Sequence, residues 1–108
     1  MKTLPSNVYR QDISAQISHL TIPRQMLAGQ MLPPNVWMQV VLLQGEVDLV
    51  LDDSEHARLT PGKTGVVAPQ QRFRLAATGQ SALFCLEYFH EAKQLDANRL
   101  AQALRHSA

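Results

Sequence analysis

The stretch Val36-Trp37-Met38-Gln39-Val40-Val41-Leu42-Leu43-Gln44-Gly45-Glu46-Val47-Asp48-Leu49-Val50-Leu51-Asp52 decides the fold class. Its first half, Val36 to Leu43, is rich in β-branched and aromatic residues, which fit a pleated sheet surface and crowd a helix. In its second half Val47, Leu49 and Leu51 alternate with Glu46, Asp48 and Val50. That is the period of a strand buried on one face. Gln44-Gly45 separates the halves, so the two runs are expected to form a hairpin across that pair.

The same reading extends downstream. Asp52-Asp53-Ser54-Glu55 is the next turn, leading into a short strand from His56 to Leu59. Pro61-Gly62 is a strong turn pair, because proline presets φ and glycine tolerates positive φ. Thr64 to Ala68 and Gln71 to Leu75 are two more short strands, hinged at Pro69. Ser81 to His90 is the longest strand candidate, and with apolar residues on both faces it is expected to be central. Upstream, Met26 to Met31 reads as a strand and Ile13 to Ile22 as one or two weaker ones. Short runs between regular Pro, Gly and Asp breaks indicate an all-β sandwich or barrel. The tail differs. Residues 91–106 contain no Gly or Pro, and Ala97, Leu100, Ala101 and Leu104 fall at i, i+3, i+4, i+7. That spacing predicts one amphipathic helix. Residues 1–90 are therefore read as the β-sandwich domain and 91–108 as a C-terminal helix belonging to it.

Composition bounds the function. The chain has 108 residues, enough for one domain. Apolar residues make up 45%, so disorder is excluded. The net charge of +1 gives no electrostatic footprint for nucleic acid or an anionic membrane. Cys85, in the apolar run Ala82-Leu83-Phe84-Cys85-Leu86, reads as a buried structural thiol. The N-terminus has no apolar stretch behind Lys2, as a signal peptide would. Val40 to Leu43 falls far short of the about 20 residues of a membrane span. A cytoplasmic location, with neither nucleic acid nor membrane as partner, is expected.

Local motifs favour structural readings. Gly62-Lys63-Thr64 looks like the end of a phosphate-binding loop, but the position of that motif's first glycine is Ala57 and a Val-Val-Ala-Pro strand follows. Arg72 and Arg74 share one strand face while Phe73 points to the other, which gives two solvated arginines beside a core residue. Glu46, Asp48, Asp52, Asp53 and Glu55 lack the spacing and the glycine of a calcium loop. His19, His56, His90 and His106 show no metal-ligand spacing, and no Cys-x-x-Cys or Gly-x-Ser-x-Gly occurs.

Several pieces together carry a resemblance. Thr3-Leu4-Pro5, Pro23 to Leu27, Trp37 with Gly45 eight residues on, Ala68-Pro69-Gln70 and Leu86-Glu87-Tyr88-Phe89 occur in a distinctive order. The chain resembles the small cupin-like family of YeaR and the N-terminal domain of tellurite resistance protein B, over about residues 3–91. The resemblance implies an all-β cupin-like jelly roll, or double-stranded β-helix, with a pocket in its mouth.

Departures from the family pattern shape the functional expectation. Gln30 and Arg72-Phe73 stand where the family commonly has His and Trp-His, and Met38 stands where a glutamate is expected. In cupins those inward positions supply ligands to a divalent metal. Phe73 and Met38 offer no useful donor, and Glu87 is a candidate only if it faces inward. The pocket implied by the resemblance is then apolar, lined by Gln30, Met38, Val40, Phe73 and Glu87, with Leu42 and Leu75. The expectation is a stand-alone small-molecule binding or sensing domain, homodimeric, with a degenerate metal site, no cofactor and no catalytic residue. The alternative is a metal-dependent cupin enzyme, of dioxygenase or isomerase type, using other ligands. Relatives fused to a methyltransferase need a further domain that 108 residues do not hold.

Overall fold

The computed structural model describes residues 1–77 and 81–91. In chain order the elements are β1 Val8–Ile13, β2 Ile17–Ser18, α1 Arg24–Ala28, β3 Gln30–Met31, β4 Val36–Gln44, β5 Val47–Leu51, β6 Glu55–Leu59, β7 Thr64–Val67, β8 Arg72–Ala77 and β9 Leu83–Glu91. They form two antiparallel sheets. The first has the order β1-β9-β4-β7, with β2 also on β9, and the second has the order β3-β8-β5-β6. Stacked face to face they make the all-β sandwich expected from the punctuation of the sequence. The central place of β9, between β1 and β4, is as its two apolar faces indicated.

The expected hairpin between the two halves of 36–52 does not form. β4 pairs with β7 and β9, whereas β5 pairs with β6 and β8, so Gly45 carries the chain from one sheet to the other. The alternation read in the sequence is correct, but it leaves the partner of each face undetermined. Val40 and Leu42 of β4 and Val47, Leu49 and Leu51 of β5 belong to one buried cluster. These apolar faces bury each other across the sandwich instead of lying side by side. Gly45 has φ 76, and a Cβ there would sit 2.8 Å from the Ala82 Cα and 2.8 Å from the Ser81 carbonyl oxygen.

The other turns match their chemistry. Asp52 and Asp53 both have positive φ, 52 and 57, and the Ser54 N–H donates to the Leu51 carbonyl at 3.1 Å. Two successive positive-φ residues are the mark of the primed turns that suit strand twist. The result is the β5–β6 hairpin, with Leu51 opposite Glu55. At Pro61-Gly62 the Lys63 N–H closes onto the Thr60 carbonyl at 2.9 Å. Pro69-Gln70 forms a similar turn, with Gln70 at φ 59 and Gln71 N–H donating to the Ala68 carbonyl at 3.2 Å. It too switches sheets, since β7 lies in the first and β8 in the second.

Three expectations need correction. Met26 to Met31 is not a strand: α1 occupies Arg24–Ala28 and only Gln30–Met31 pair, with β8. Pro23 presets the helix entry and Gly29, at φ 122, ends it, which turns Met26 into the core. The N-terminal strand lies earlier than Ile13, because β1 runs from Val8 with five exposed residues and so shows no buried alternation. Glu91 ends β9 instead of starting a helix, its N–H donating to the Asn35 carbonyl at 3.0 Å. The remainder of the proposed helix, residues 92–108, lies outside the described residues.

Replacing Gly45 with Ala is expected to destabilise the domain by at least about 2 kcal/mol, through positive φ and contact with the 81–82 backbone. Urea unfolding measures this; an unchanged midpoint would contradict the crossing geometry.

Candidate functional site

The register between strands fixes which side chains face the interior. On β9, Phe84 and Leu86 are buried and Tyr88 packs against the core, so the even positions point inward. Met38 lies opposite Tyr88, Val40 opposite Leu86 and Leu42 opposite Phe84. From the second sheet, Phe73 and Leu75 pair with Leu51 and Leu49 on the inward face. Met38, Val40, Phe73 and Leu75 are each at most 1% exposed. The interior at this level is thus filled by side chains.

The five sequence-predicted site residues separate. Met38, Val40 and Phe73 come together, but as core. Gln30 shares Phe73's face by register and is exposed on the short edge strand β3. Glu87 does not face inward. It lies on the outer face of the first sheet, where it accepts a hydrogen bond from Arg10 Nη1 at 3.0 Å. The odd parity of Glu87 against buried Leu86 is the reason. Cys85 shares that outer face and is only partly buried, which corrects the expectation of a core thiol. Burial, and secondarily the charge of Glu87, push its thiol above the ordinary range.

The divalent metal implied for cupins does not fit these residues. Met38, Val40 and Phe73 present a thioether and hydrocarbon where imidazole and carboxylate would be needed. Among the described residues no three His, Cys, Asp or Glu side chains are grouped to hold a metal ion.

Polar side chains gather instead at the end of the sandwich where β9 finishes. Tyr9 lies opposite His90 and Asp12 opposite Tyr88 across the β1–β9 ladder. All four therefore share the inner face of the first sheet. A register shift between Arg10 and Asp12 keeps Asp12 in phase with Tyr88 despite the odd spacing from Tyr9. The Tyr9 and His90 rings have centroids 6.3 Å apart and are inclined by 33°. Tyr9 is 52% exposed, while Tyr88 and His90 are half-buried, so this is the open mouth of the interior. Burial pushes the Tyr88 phenol above its ordinary range, and the Asp12 charge adds to the rise. At neutral pH Tyr88 thus stays a hydrogen-bond donor beside a carboxylate acceptor. Met38 and Leu86 form an apolar floor beneath it.

Sequence reading missed this cluster. β1 has no periodic signal, and its bulge breaks what alternation it has. Tyr88 and His90 were visible only as part of an apolar strand. Two hollows lie elsewhere. One, of about 280 Å³, lies between Met1–Leu4 and the outward side chains of Gln39, Thr64 and Val66. The other, of about 300 Å³, is at the start of β9.

Comparison with known proteins places this architecture. The family model for the TehB-like domain matches residues 15–86. No curated protein matches the sequence. A crystal structure of a protein from E. coli strain K12 superposes with a TM-score of 0.79 at 16% identity, covering 86% of this chain and 100% of that one. TehB from Haemophilus influenzae gives 0.74 at 13% identity, covering 80% of this chain, which spans 32% of that protein. The cupin domain of Schizosaccharomyces pombe Cnp3 gives 0.50 at 18% identity, over 68% of this chain and 51% of that one. At such identities the superpositions show the fold: a cupin-like one, as the sequence resemblance implied.

Asp12→Asn is expected to lower the pKa of Tyr88 while leaving it above the ordinary phenol value, because burial is the larger cause. Tyrosine absorbance titration of wild type and variant checks this; no change would remove Asp12 from the cluster. The sign for stability follows. A phenol that titrates higher folded than unfolded stabilises the fold below pH about 10, and this contribution fades as pH rises beyond it.

Proposed function

We propose a ligand-binding role from one premise: the chain belongs to the TehB-like domain family, whose cupin-like fold it shares. The ligand is a small polar organic molecule bound at the mouth, with its polar end on Tyr9, Asp12, Tyr88 and His90. The observation that carries this reading is a polar cluster, half-buried at Tyr88 and His90 and exposed at Tyr9 and Asp12, beside the buried side chains of Met38 and Leu86. A phenol donor, a carboxylate acceptor and an imidazole within one strand pair recognise hydrogen-bonding groups without a metal. The side chains at the cupin metal positions give the enzyme alternative no support.

The family relation supports a sensing or binding role alongside tellurite or oxyanion resistance. A cytoplasmic homodimer, with neither nucleic acid nor membrane as partner, completes the reading. Exposed Ile13 and Leu43 support the dimer, since apolar residues at the surface suit an interface between copies. No described helix is long and apolar enough to cross a membrane.

A thermal-shift screen of small polar organic molecules tests the proposal, followed by calorimetric titration of any that stabilise the protein. Binding is expected to weaken at least about tenfold, or about 1.4 kcal/mol, in Tyr88→Phe and in His90→Ala. A ligand that binds both variants as tightly as wild type would overturn the mouth assignment. A screen without any saturable binder would overturn the binding role.

A further inference from the structure

We infer that the mouth takes a ligand bearing a positively charged nitrogen, an organic cation of ammonium type, with the Asp12 carboxylate as its counter-ion and the rings of Tyr9 and Tyr88 beside it. The inference rests on the ligand-binding reading of the mouth and adds the chemical class of the ligand.

β1 places that carboxylate by breaking its own alternation. Tyr9 lies opposite His90 and Arg10 opposite Phe89, but the register then shifts, so that Asp12 lies opposite Tyr88 and Ile13 opposite Glu87. Strict alternation from Tyr9 would turn Gln11 and Ile13 inward and Asp12 outward. The bulge reverses this. Asp12 joins Tyr9 on the inner face, and Ile13 stands 49% exposed on the outer one. Burial of apolar surface alone favours the opposite choice. Bulges re-aim side chains beside functional sites. A local rule broken at a cost in packing is the mark of such a site.

The carboxylate so placed has no cation of its own. Its Oδ1 accepts from the Ile13 N–H at 2.8 Å, which orients it. Among the described residues Asp12 enters no ion pair. Arg10 faces the outer side, where Glu87 engages it at 3.0 Å. The Asp12 charge reaches Tyr88 instead, whose phenol it helps to hold in the protonated form.

The neighbours select the class. Tyr88 lies directly opposite Asp12, and Tyr9 stands on the same face, its ring centroid 6.3 Å from that of His90. Aromatic faces carry negative potential and attract a cation, more strongly where water is partly excluded. Tyr88 is half-buried, and Met38 opposite it is buried. A carboxylate beside phenol rings repels an anion, and a neutral ligand leaves its charge uncompensated. An ammonium group is held by the carboxylate and the rings together, while Met38 suits the carbon substituents of the nitrogen.

Calorimetric titration of the full chain tests this. Choline and ethanolamine serve as the cations, 3,3-dimethyl-1-butanol and 1-propanol as their uncharged counterparts, and acetate as the anion. At least one cation is expected to bind saturably, at least tenfold more tightly than its counterpart. Asp12→Asn and Tyr9→Leu are each expected to weaken that cation at least tenfold. Both side chains are exposed, so an unfolding midpoint close to that of wild type is expected in each variant. Equal binding of the uncharged counterpart, tighter binding of acetate, or unchanged cation affinity in Asp12→Asn would overturn the cation assignment. So would the absence of binding by either cation. The mouth reading has its own readout. It stands if a neutral molecule from the thermal-shift screen loses affinity in Tyr88→Phe, and it falls with the cation assignment if no binder responds to that variant.

Discussion

The side chains that fill the space between the two sheets constrain everything else in this domain. Met38, Val40 and Leu42 from one sheet meet Leu49, Leu51, Phe73 and Leu75 from the other in a single buried cluster. Among the described residues no polar or charged residue is buried. A polar group placed there would need a partner that this cluster does not supply. Gly65 shows how closely the layers approach, since a Cβ at that position would lie 2.7 Å from Leu49 and 2.9 Å from Leu59. Polar chemistry is consequently displaced to the rims, where the sandwich opens.

The rims are shaped by where the chain changes sheets. Gly45 and the Pro69-Gln70 turn each carry it across, and each takes positive φ to do so. Asp52 then binds a crossing point into place. Its carboxylate accepts from Gln71 Nε2 at 3.0 Å and from the Arg72 N–H at 3.2 Å, locking the β5–β6 turn to the start of β8. An acidic residue that reads as part of a solvated hairpin end is thus also a structural tie. Nearby Arg58 reaches Asp48 at 3.2 Å across the outer face of the second sheet, where solvent screening leaves such a pair worth at most about 1 kcal/mol. The hydrogen-bonded tie matters more to the shape of the rim than the ion pair does.

Much of this was legible in the sequence. The strands from β4 to β9 follow from β-branched runs, alternation and turn residues, and the inward placement of Phe73 between Arg72 and Arg74 follows from period two alone. Sheet membership was not legible at Gly45, because alternation says which side chains are buried and not which strand they are buried against. α1 was misread because Met26 at its centre and Leu27 suit either a strand or a helix, and Pro23 and Gly29 decide between them only through their actual φ. The parity of Glu87 was a one-residue question, and a one-residue slip exchanges core for surface. Tyr9 and Asp12 escaped because their strand is mostly exposed and bulged. Their role arises from pairing with residues some eighty positions away, which no local pattern records.

Identities of 13% and 16% with TM-scores of 0.74 and 0.79 show that this backbone path tolerates almost complete replacement of its side chains. What must persist is the inward alternation and the space at the crossing points, both satisfied by many residues. The chemistry of an interior position is then free to change without moving the strands. Phenylalanine and methionine at such positions add apolar contact and offer neither imidazole nor carboxylate. The core is filled by apolar side chains, and polar groups lie at the ends of the strands. At one rim these are Tyr88 and His90 of the central strand itself, with Tyr9 and Asp12 held opposite them by the β1–β9 pairing.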